Sequence, residues 1–229
     1  MARVPSGIPG LDRFIGNGFV PGSINLVTGK TGTGKSIFCG QFIYKGAMDY
    51  NEPGIYITTE QTANELRGDF KESFGWDFAM LERMGKVAIL EVKPYEIRPL
   101  INILESVITK IGARRAVIDS ETVFGLYLKD KYLARKEMWE VMNILKEYGI
   151  TTLITAQILE ESEGLSRFGV IEFMVDSIIV LRYMALAEKF KRNLTIRKMR
   201  RTKHSEEIHP IVISNQGIVV YSPSEALGK

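Results

Sequence analysis

The amino-acid sequence predicts an α/β fold in which helices flank a mostly parallel, twisted sheet that continues into antiparallel strands near the C-terminal end. Over residues 23–157, short apolar runs alternate with helical segments, which is typical of a parallel sheet covered on both faces. Beyond Val170 the apolar runs follow one another across short polar turns, as in an antiparallel meander. Because 45% of the 229 residues are hydrophobic and no linker or repeat interrupts them, residues 1–229 are expected to form a single domain.

The alternating part begins with a buried run at 23–28 (SINLVT), which predicts a strand, and apolar residues at helical spacing follow over 36–50. Gly75 and Gly149 each follow a helical segment and predict its C-terminus. Applied along the chain, the same patterns predict strands at 54–59, 86–92, 115–119 and 151–156, and helices at 63–74, 99–111 and 135–148.

The C-terminal part of the chain has no room for helices between its apolar runs, so these runs are expected to extend the sheet as antiparallel strands. The expected strands are 173–183, 193–199, 208–213 and 217–221. The last eight or so residues are expected to be frayed.

The composition of the chain argues against several kinds of partner and of structural site. The balance of 30 basic against 27 acidic residues gives a net charge of +3, which is too mild to indicate nucleic acid or an anionic membrane as a partner. Cys39 is the single cysteine, so a disulfide framework and a cysteine-rich zinc site are excluded, and we expect it to be a small core residue. No signal peptide or membrane span is visible, and we expect a cytoplasmic protein.

A glycine-rich loop carries the strongest chemical signal. It fits the pattern G-x-x-x-x-G-K-[ST] at every fixed position and lies between a predicted strand and a predicted helix, as a phosphate-binding loop requires. Glycines allow consecutive amides to turn toward the phosphates, the lysine supplies a positive charge, and the serine hydroxyl suits Mg²⁺. The predicted nucleotide-binding residues are Gly29, Lys30, Thr31, Gly32, Thr33, Gly34, Lys35 and Ser36, with Ser36 also a predicted metal ligand.

Polar residues at the ends of other predicted strands complete a nucleotide site. Asp119 ends the apolar run RAVID at the edge where α/β proteins bind ligands. We therefore expect its carboxylate to help Ser36 hold the Mg²⁺. Glu60 ends a neighbouring strand and is the candidate general base, although the segment TEQT also resembles helix-capping chemistry. Gln157, at the end of TTLITA, is a candidate γ-phosphate contact.

Residues 189–203 form a basic segment with eight Lys or Arg among fifteen residues. Three interpretations stay open from composition alone: a solvated surface, a nucleic-acid patch, or a cationic finger directed at a triphosphate. Phe190 is the one aromatic residue of the segment, which gives little support to stacking on bases.

Several motifs spread over nearly the whole chain belong together. They are SGIPGLD at 6–12, the glycine run at 16–22, GKTGTGKS, ITTEQ, RAVIDSE, EFMVD at 172–176 and KMRRTKH at 198–204. Together they resemble the KaiC-like branch of the RecA ATPase superfamily. The resemblance implies a RecA-type P-loop NTPase fold, and a ring, usually a hexamer, that binds ATP and Mg²⁺ between protomers. It also implies that Glu60 is catalytic, that Asp119 lies on the magnesium side, and that Lys198 and Arg200 meet the γ-phosphate of the adjacent protomer.

This chain departs from the family pattern at two positions and in length. Gln61 stands where the clock protein of the family has a second acidic residue, and Arg201 stands where a glycine is expected. The clock protein also has two such domains, whereas one is expected here, so the resemblance does not extend to autokinase activity.

The leading hypothesis is therefore an oligomeric ATPase whose catalytic groups are Lys35, Glu60, Lys198 and Arg200, with homo-oligomer partners and no membrane. The alternative is a DNA-binding recombination or repair ATPase of the RadA type. The loop at 158–170 carries more acidic than basic residues, which disfavours nucleic acid. A nucleotide-gated scaffold with negligible turnover is the third possibility.

Overall fold

The computed structural model describes residues 2–93, 97–121, 131–158, 164–166, 171–186 and 189–227. The strands are β1 (Ile24–Gly29), β2 (Gly54–Thr58), β3 (Val87–Glu91), β4 (Arg115–Asp119), β5 (Thr151–Gln157), β6 (Ser177–Leu186), β7 (Lys189–Met199), β8 (His209–Ser214) and β9 (Gly217–Val220). The helices are α1 (Lys35–Asp49), α2 (Ala63–Phe74), α3 (Phe78–Arg83), α4 (Ile97–Ile111), α5 (Lys131–Glu147), α6 (Ile171–Met174) and α7 (Pro223–Leu227). A 3-10 turn spans Asp12–Phe14.

The strands form one nine-stranded sheet in the order β3-β2-β4-β5-β1-β6-β7-β8-β9. The first six of these strands run parallel, so their carboxyl ends meet at one edge of the sheet, which we call the carboxyl edge, opposite the amino edge. β1 and β2 are buried along their whole length, as expected for strands covered on both faces. The predicted parallel sheet is confirmed.

Helices cover both faces of the sheet over two apolar cores. On the first face, α1, α2 and α3 pack with the N-terminal segment, and Cys39 is 0% exposed there, as predicted. On the second face, α4, α5 and α6 pack against the strands. Among the helices of the described ranges, none combines the length and the apolar character needed to cross a membrane.

The predicted antiparallel extension is also confirmed, because β7, β8 and β9 each pair antiparallel with the preceding strand. The pairing of β6 with β7 contains a bulge: Lys198 lies opposite Ile178, Ile196 lies opposite Ile179, and Arg197 is the extra residue between them. Ile196 and Met199 both pack in the first core despite being three positions apart. The bulge therefore turns Lys198 away from the core face that strict alternation would give it.

Three predictions about elements were wrong. The strand expected from Phe173 begins at Ser177, because Ile171–Met174 form a helical turn that buries Ile171 and leaves Phe173 76% exposed. α3 was missed, since its six residues are too short for a periodic pattern. The C-terminal residues expected to fray instead form α7, which an ion pair between Arg13 and Glu225 ties to the N-terminal segment.

Candidate active site

The phosphate loop joins β1 to α1 at the carboxyl edge. Gly32 and Gly34 have φ angles of +76° and +104°, a backbone conformation that side chains with a Cβ rarely adopt. Thr33 closes the turn by donating its hydroxyl to the carbonyl of Lys30 at 2.8 Å. The first turn of α1 then begins at Lys35, with Ser36 half-buried beside it. This is the arrangement of amides at a helix N-terminus that binds anions.

Lys35 lies inside this loop. Its ammonium donates to the carbonyls of Gly29 and Lys30, both at 2.9 Å. Burial lowers the pKa of Lys35, while the carboxylates of Asp119 and Glu60 act in the opposite direction and raise it. The structure thus places the lysine charge within electrostatic range of both acidic residues predicted from sequence.

Asp119 ends β4, and hydroxyl groups of the two neighbouring strands hold its carboxylate. Tyr56 of β2 donates to Oδ2 at 2.7 Å, and Thr155 of β5 donates to Oδ1 at 2.5 Å. The sequence analysis missed both donors, because strand neighbours in the sheet are distant along the chain. Each carboxylate oxygen is therefore oriented before any ligand binds.

Glu60 is exposed just beyond β2, and Ser120 donates its hydroxyl to Oε1 of Glu60 at 2.5 Å. Helix capping, the competing interpretation of this segment, uses other residues. Thr62 is the N-cap of α2 and forms a reciprocal capping box with Glu65. The Glu60 carboxylate is therefore not used to cap the helix.

Ser120 is a second group that the sequence analysis missed, and it is itself fixed in place. Its backbone amide donates to the Thr59 hydroxyl at 2.9 Å, and that hydroxyl donates to the Asp119 and Ser120 carbonyls. The position of Ser120 immediately after the strand-end aspartate was the available sequence signal. The ends of β2 and β4 are thus joined through a short hydroxyl network.

The ends of β2 and β4 and the start of α1, where the phosphate loop ends at Ser36, open onto one cleft of ≈ 520 Å³. One wall is polar and belongs to the sheet edge, and the other is largely apolar and belongs to α2. The cleft is lined by Ser36, Ile37, Thr58, Glu60, Gln61, Leu66, Asp69, Phe70, Ser73, Phe74 and Asp119. A cleft with convergent polar groups beside an apolar wall suits a ligand that has both charged and aromatic parts.

The residues present fit a magnesium nucleotide. The Ser36 hydroxyl and the Asp119 carboxylate line the same cleft, and oxygen donors of this kind suit Mg²⁺. The amides of the loop and the Lys35 ammonium provide positive charge for phosphates next to them.

The outer side of the phosphate loop has three further side-chain contacts. Gln157, predicted from sequence, donates from Nε2 to the Thr31 hydroxyl at 2.6 Å. Tyr183 and Arg192, which the sequence analysis did not select, both donate to the carbonyl of Gly32. Arg192 could not be selected from the sequence, because it is one of many basic residues in 189–203.

Lys198 and Arg200 lie at the amino edge, away from the cleft. Lys198 donates to the carbonyls of Glu172 and Val175 at 3.2 and 2.7 Å, and burial lowers the pKa of Lys198. Arg200 is exposed and forms an ion pair with Asp176 at 3.8 Å. The structure brings these two residues together but does not bring them to the phosphate loop of their own chain.

Comparison with known proteins identifies the family. The family model described as "ATPase: KaiC" matches residues 4–225. The chain belongs to the KaiC ATPase family. Its sheet order and its phosphate loop are therefore those of a KaiC-like member of the RecA-type fold, as predicted.

Individual members of the KaiC family are similar over nearly the whole chain. UPF0273 protein MJ1359 of Methanocaldococcus jannaschii is 39% identical and covers 96% of this chain and 97% of its own length. The circadian clock oscillator protein KaiC of Synechococcus elongatus is 33% identical over 96% of this chain, which spans 44% of that protein. The crystal structure of the KaiC-like protein PH0186 of Pyrococcus horikoshii is 42% identical, has a TM-score of 0.89, and covers 96% of this chain and 99% of its own.

Proposed function

We propose that the protein hydrolyses ATP to ADP and phosphate in this cleft, as one subunit of a ring, a hexamer in the simplest case, of identical domains spanning 1–229. One observation carries the proposal: Ser36 at the end of the phosphate loop, the strand-end Asp119 and the exposed Glu60 line a single cleft, and the charge of Lys35 lies within electrostatic range of both carboxylates. Membership of the KaiC ATPase family supports it.

Each residue of the proposed site has its own role in hydrolysis, which follows from its chemistry. Loop amides and Lys35 would bind the β- and γ-phosphates, and Ser36 with Asp119 would hold Mg²⁺, which would neutralise phosphate charge. Glu60 orients the attacking water and accepts its proton. Ser120 holds one oxygen of that carboxylate, which leaves the other oxygen for the water. Gln157 is anchored beside the loop by its hydrogen bond to Thr31, and its amide is the group proposed to contact the γ-phosphate.

The location of Lys198 and Arg200 supports a ring in which each site is shared. Lys198 lies opposite Ile178, which is level with Leu26 of β1. Gly29 lies three positions beyond Leu26 on β1, which is about 10 Å along the strand. The Lys198 ammonium donates to the Val175 carbonyl. A neighbour packed head to tail places its amino edge against this carboxyl edge and supplies both cations in trans.

The test is turnover of ATP in the presence of Mg²⁺ by the protein and by Glu60→Gln. We expect the substitution to lower kcat by about 10² to 10⁴, because it removes the general base, while ATP binding measured by calorimetry is retained. Glu72→Gln, an exposed change on α2, is the matched control and should leave turnover unchanged. Normal hydrolysis by Glu60→Gln would show that this residue is not the base.

Lys35→Ala separates binding from chemistry. Removing the ammonium from the phosphate loop should abolish measurable binding of ATP and of ADP. A wild-type protein that binds nucleotide but shows no turnover would point instead to a nucleotide-gated scaffold.

A second candidate is a DNA-binding recombination or repair ATPase of the RadA type. The observation in its favour is a cleft of ≈ 930 Å³ that runs along β6 and β7 from the amino edge to Arg182, lined by the exposed Phe173 and by Glu172 together with Arg182, Arg197, Lys198 and Arg200. An aromatic ring among cations suits single-stranded nucleic acid. The acidic loop that argued against DNA, 158–170, lies largely outside the described residues. Saturable binding of single-stranded DNA at physiological salt, lost in Phe173→Ala, would favour this candidate, and its absence favours the first.

A further inference from the structure

A tyrosine and an arginine from the antiparallel part of the sheet lie against the tip of the phosphate loop. Tyr183 of β6 and Arg192 of β7 are directly opposite each other in the strand pairing. The guanidinium of Arg192 lies over the Tyr183 ring, 4.8 Å from its centroid, and donates from Nη2 to the Tyr183 hydroxyl at 2.6 Å. The two side chains therefore form one unit, joined by a hydrogen bond and a cation–π contact.

This unit is bonded to one atom of the loop, the carbonyl oxygen of Gly32. The Tyr183 hydroxyl donates to that oxygen at 2.7 Å, and Arg192 Nη2 lies 3.4 Å from it. The contact is close without being crowded, since a Cβ on Gly32 would be 3.5 Å from the Tyr183 hydroxyl, which is an ordinary van der Waals distance. The tip of the loop thus has side-chain hydrogen bonds in addition to those within the loop itself.

The direction of this carbonyl determines the direction of the next amide. In a trans peptide the C=O and N–H bonds point to opposite sides, so an oxygen held toward Tyr183 directs the Thr33 N–H the other way. Gly32 has a φ of +76°, and successive amides around such a residue form a concave site for anions. Holding the Gly32 carbonyl outward therefore favours the loop shape that directs amides to phosphate.

We propose that Tyr183 and Arg192 are positioning residues that hold the phosphate loop in its nucleotide-binding shape and so strengthen binding of the phosphate groups shared by ATP and ADP. The inference rests on the proposed nucleotide site, but it is independent of hydrolysis and of the ring. Tyr183 is 39% exposed, Arg192 is half-buried, and neither belongs to the two apolar cores, so their loss should affect the loop more than the core.

The experiment is calorimetric titration of the full chain with ATP and with ADP, each with Mg²⁺, and with adenosine. Tyr183→Phe and Arg192→Met should each weaken ATP and ADP binding by the same factor, about 3- to 10-fold, since each removes hydrogen bonds that order the loop. Adenosine has no phosphate, so its affinity should not change. In turnover assays KM should rise with kcat unchanged, and Arg192→Lys should recover part of the affinity.

Two further variants exclude simpler explanations. Lys191→Met removes the same charge one residue away on an exposed site of the same strand, and it should bind nucleotides like the wild type. Because the two residues act on one carbonyl, their effects should not add. The double variant Tyr183→Phe/Arg192→Met should have a nucleotide affinity only slightly below that of the single variant with the lower affinity. Melting temperatures of all variants should match that of the wild type.

Two results would overturn the inference. Unchanged affinity in Tyr183→Phe and Arg192→Met would show that the contacts do not order the loop. Weakening of ATP alone, with ADP unaffected, would show that Arg192 binds the γ-phosphate directly. In both cases the wild type binds nucleotide, whereas a wild type with no nucleotide affinity would contradict the proposed function itself.

Discussion

At the scale of single residues, Glu121 is a buried carboxyl group immediately beyond the hydroxyl network of the cleft. It is 6% exposed, and its Oε1 has no hydrogen-bond partner among the residues that the structure describes. Burial raises the pKa of Glu121 from an ordinary value of 4.5 to about 7, and the nearby carboxylate of Glu172 adds to the rise. The folded protein therefore holds a proton on Glu121 that the unfolded chain releases at lower pH.

This proton makes stability depend on pH. Because the folded-state pKa is the higher one, the favourable contribution is complete below pH 4.5 and is lost as the pH rises through about 7. At pH 8 we expect Glu121→Gln to be more stable than the wild type, on the order of 2 kcal/mol. For a chain of this length, that is a rise of about 5 °C in Tm.

At pH 5 the advantage of Glu121→Gln should fall to about a quarter of its value at pH 8, because the folded carboxyl is then neutral and the pH is close to the pKa of the unfolded chain. Thermal unfolding at the two pH values measures the difference, and Glu72→Gln, an exposed change, is the control. An advantage that is equal at both pH values would contradict a titrating Glu121.

How far the site can be predicted from sequence also depends on individual residues. The loop and the strand-end positions of Glu60 and Asp119 were predictable, because a motif or the end of an apolar run marks each of them. Ser120, Thr155 and Tyr183 were not, because a hydroxyl on a strand has no distinctive pattern until the strand order is known.

At the scale of elements, the turn after β7 contains a backbone conformation that suits glycine. Arg201 has a φ of +59°, which explains why a glycine was expected there. Arg3 supports this turn by donating to the Arg201 carbonyl at 3.2 Å and to the Thr202 hydroxyl at 2.7 Å. The N-terminal segment therefore braces the segment that carries Lys198 and Arg200.

Two substitutions, Arg201→Gly and Arg201→Ala, both remove the long side chain of Arg201. Comparing their stabilities therefore measures the effect of the backbone conformation alone. Arg201→Gly should be more stable than Arg201→Ala by about 1 kcal/mol, because alanine still has the Cβ that disfavours a left-handed conformation. Urea unfolding of the two variants provides the measurement. At an ordinary position alanine is the more stable of the two, so finding that order here would contradict the observed φ.

Elements were predicted correctly where a periodic pattern of apolar residues extended over several turns. They were predicted wrongly where the element was only a few residues long. α1 and α2 differ from their predicted bounds by no more than one residue at either end, since several turns of periodic apolar residues define them. The turn at Ile171–Met174 was taken as strand, because four residues cannot distinguish the two periods.

At the scale of the whole molecule, the proposed catalytic groups are divided between two edges of one sheet. Lys35 and Glu60 lie at the carboxyl edge, and Lys198 and Arg200 lie at the amino edge. In the proposed ring, a complete site then needs an intact loop from one subunit and an intact cationic segment from the next.

Mixed assemblies test this division. Lys35→Ala and Arg200→Ala should each lose nearly all ATP turnover, the second by about 10³-fold or more. When the two are co-expressed and assemble at random, about a quarter of the interfaces combine the intact loop with the intact arginine, and turnover should return in proportion.

The control is co-expression of Lys35→Ala with the double variant Lys35→Ala/Arg200→Ala, which restores no interface. If the first mixture is as inactive as its parents, although the variants assemble together, the sites are not shared between subunits.

The bulge at Arg197 limits how the length of β7 can change. Arg197 is the extra residue, so deleting it would remove the bulge and leave Ile196, Lys198 and Met199 in regular alternation on their present faces. Deleting any other single residue of the strand would move the side chains on one side of the deletion to the opposite face. Removing or adding two residues would keep every side chain on its present face and shift the cations by about 7 Å along the strand. Apart from the deletion of Arg197 itself, insertions and deletions in this strand should therefore be tolerated in even numbers and rejected in odd ones.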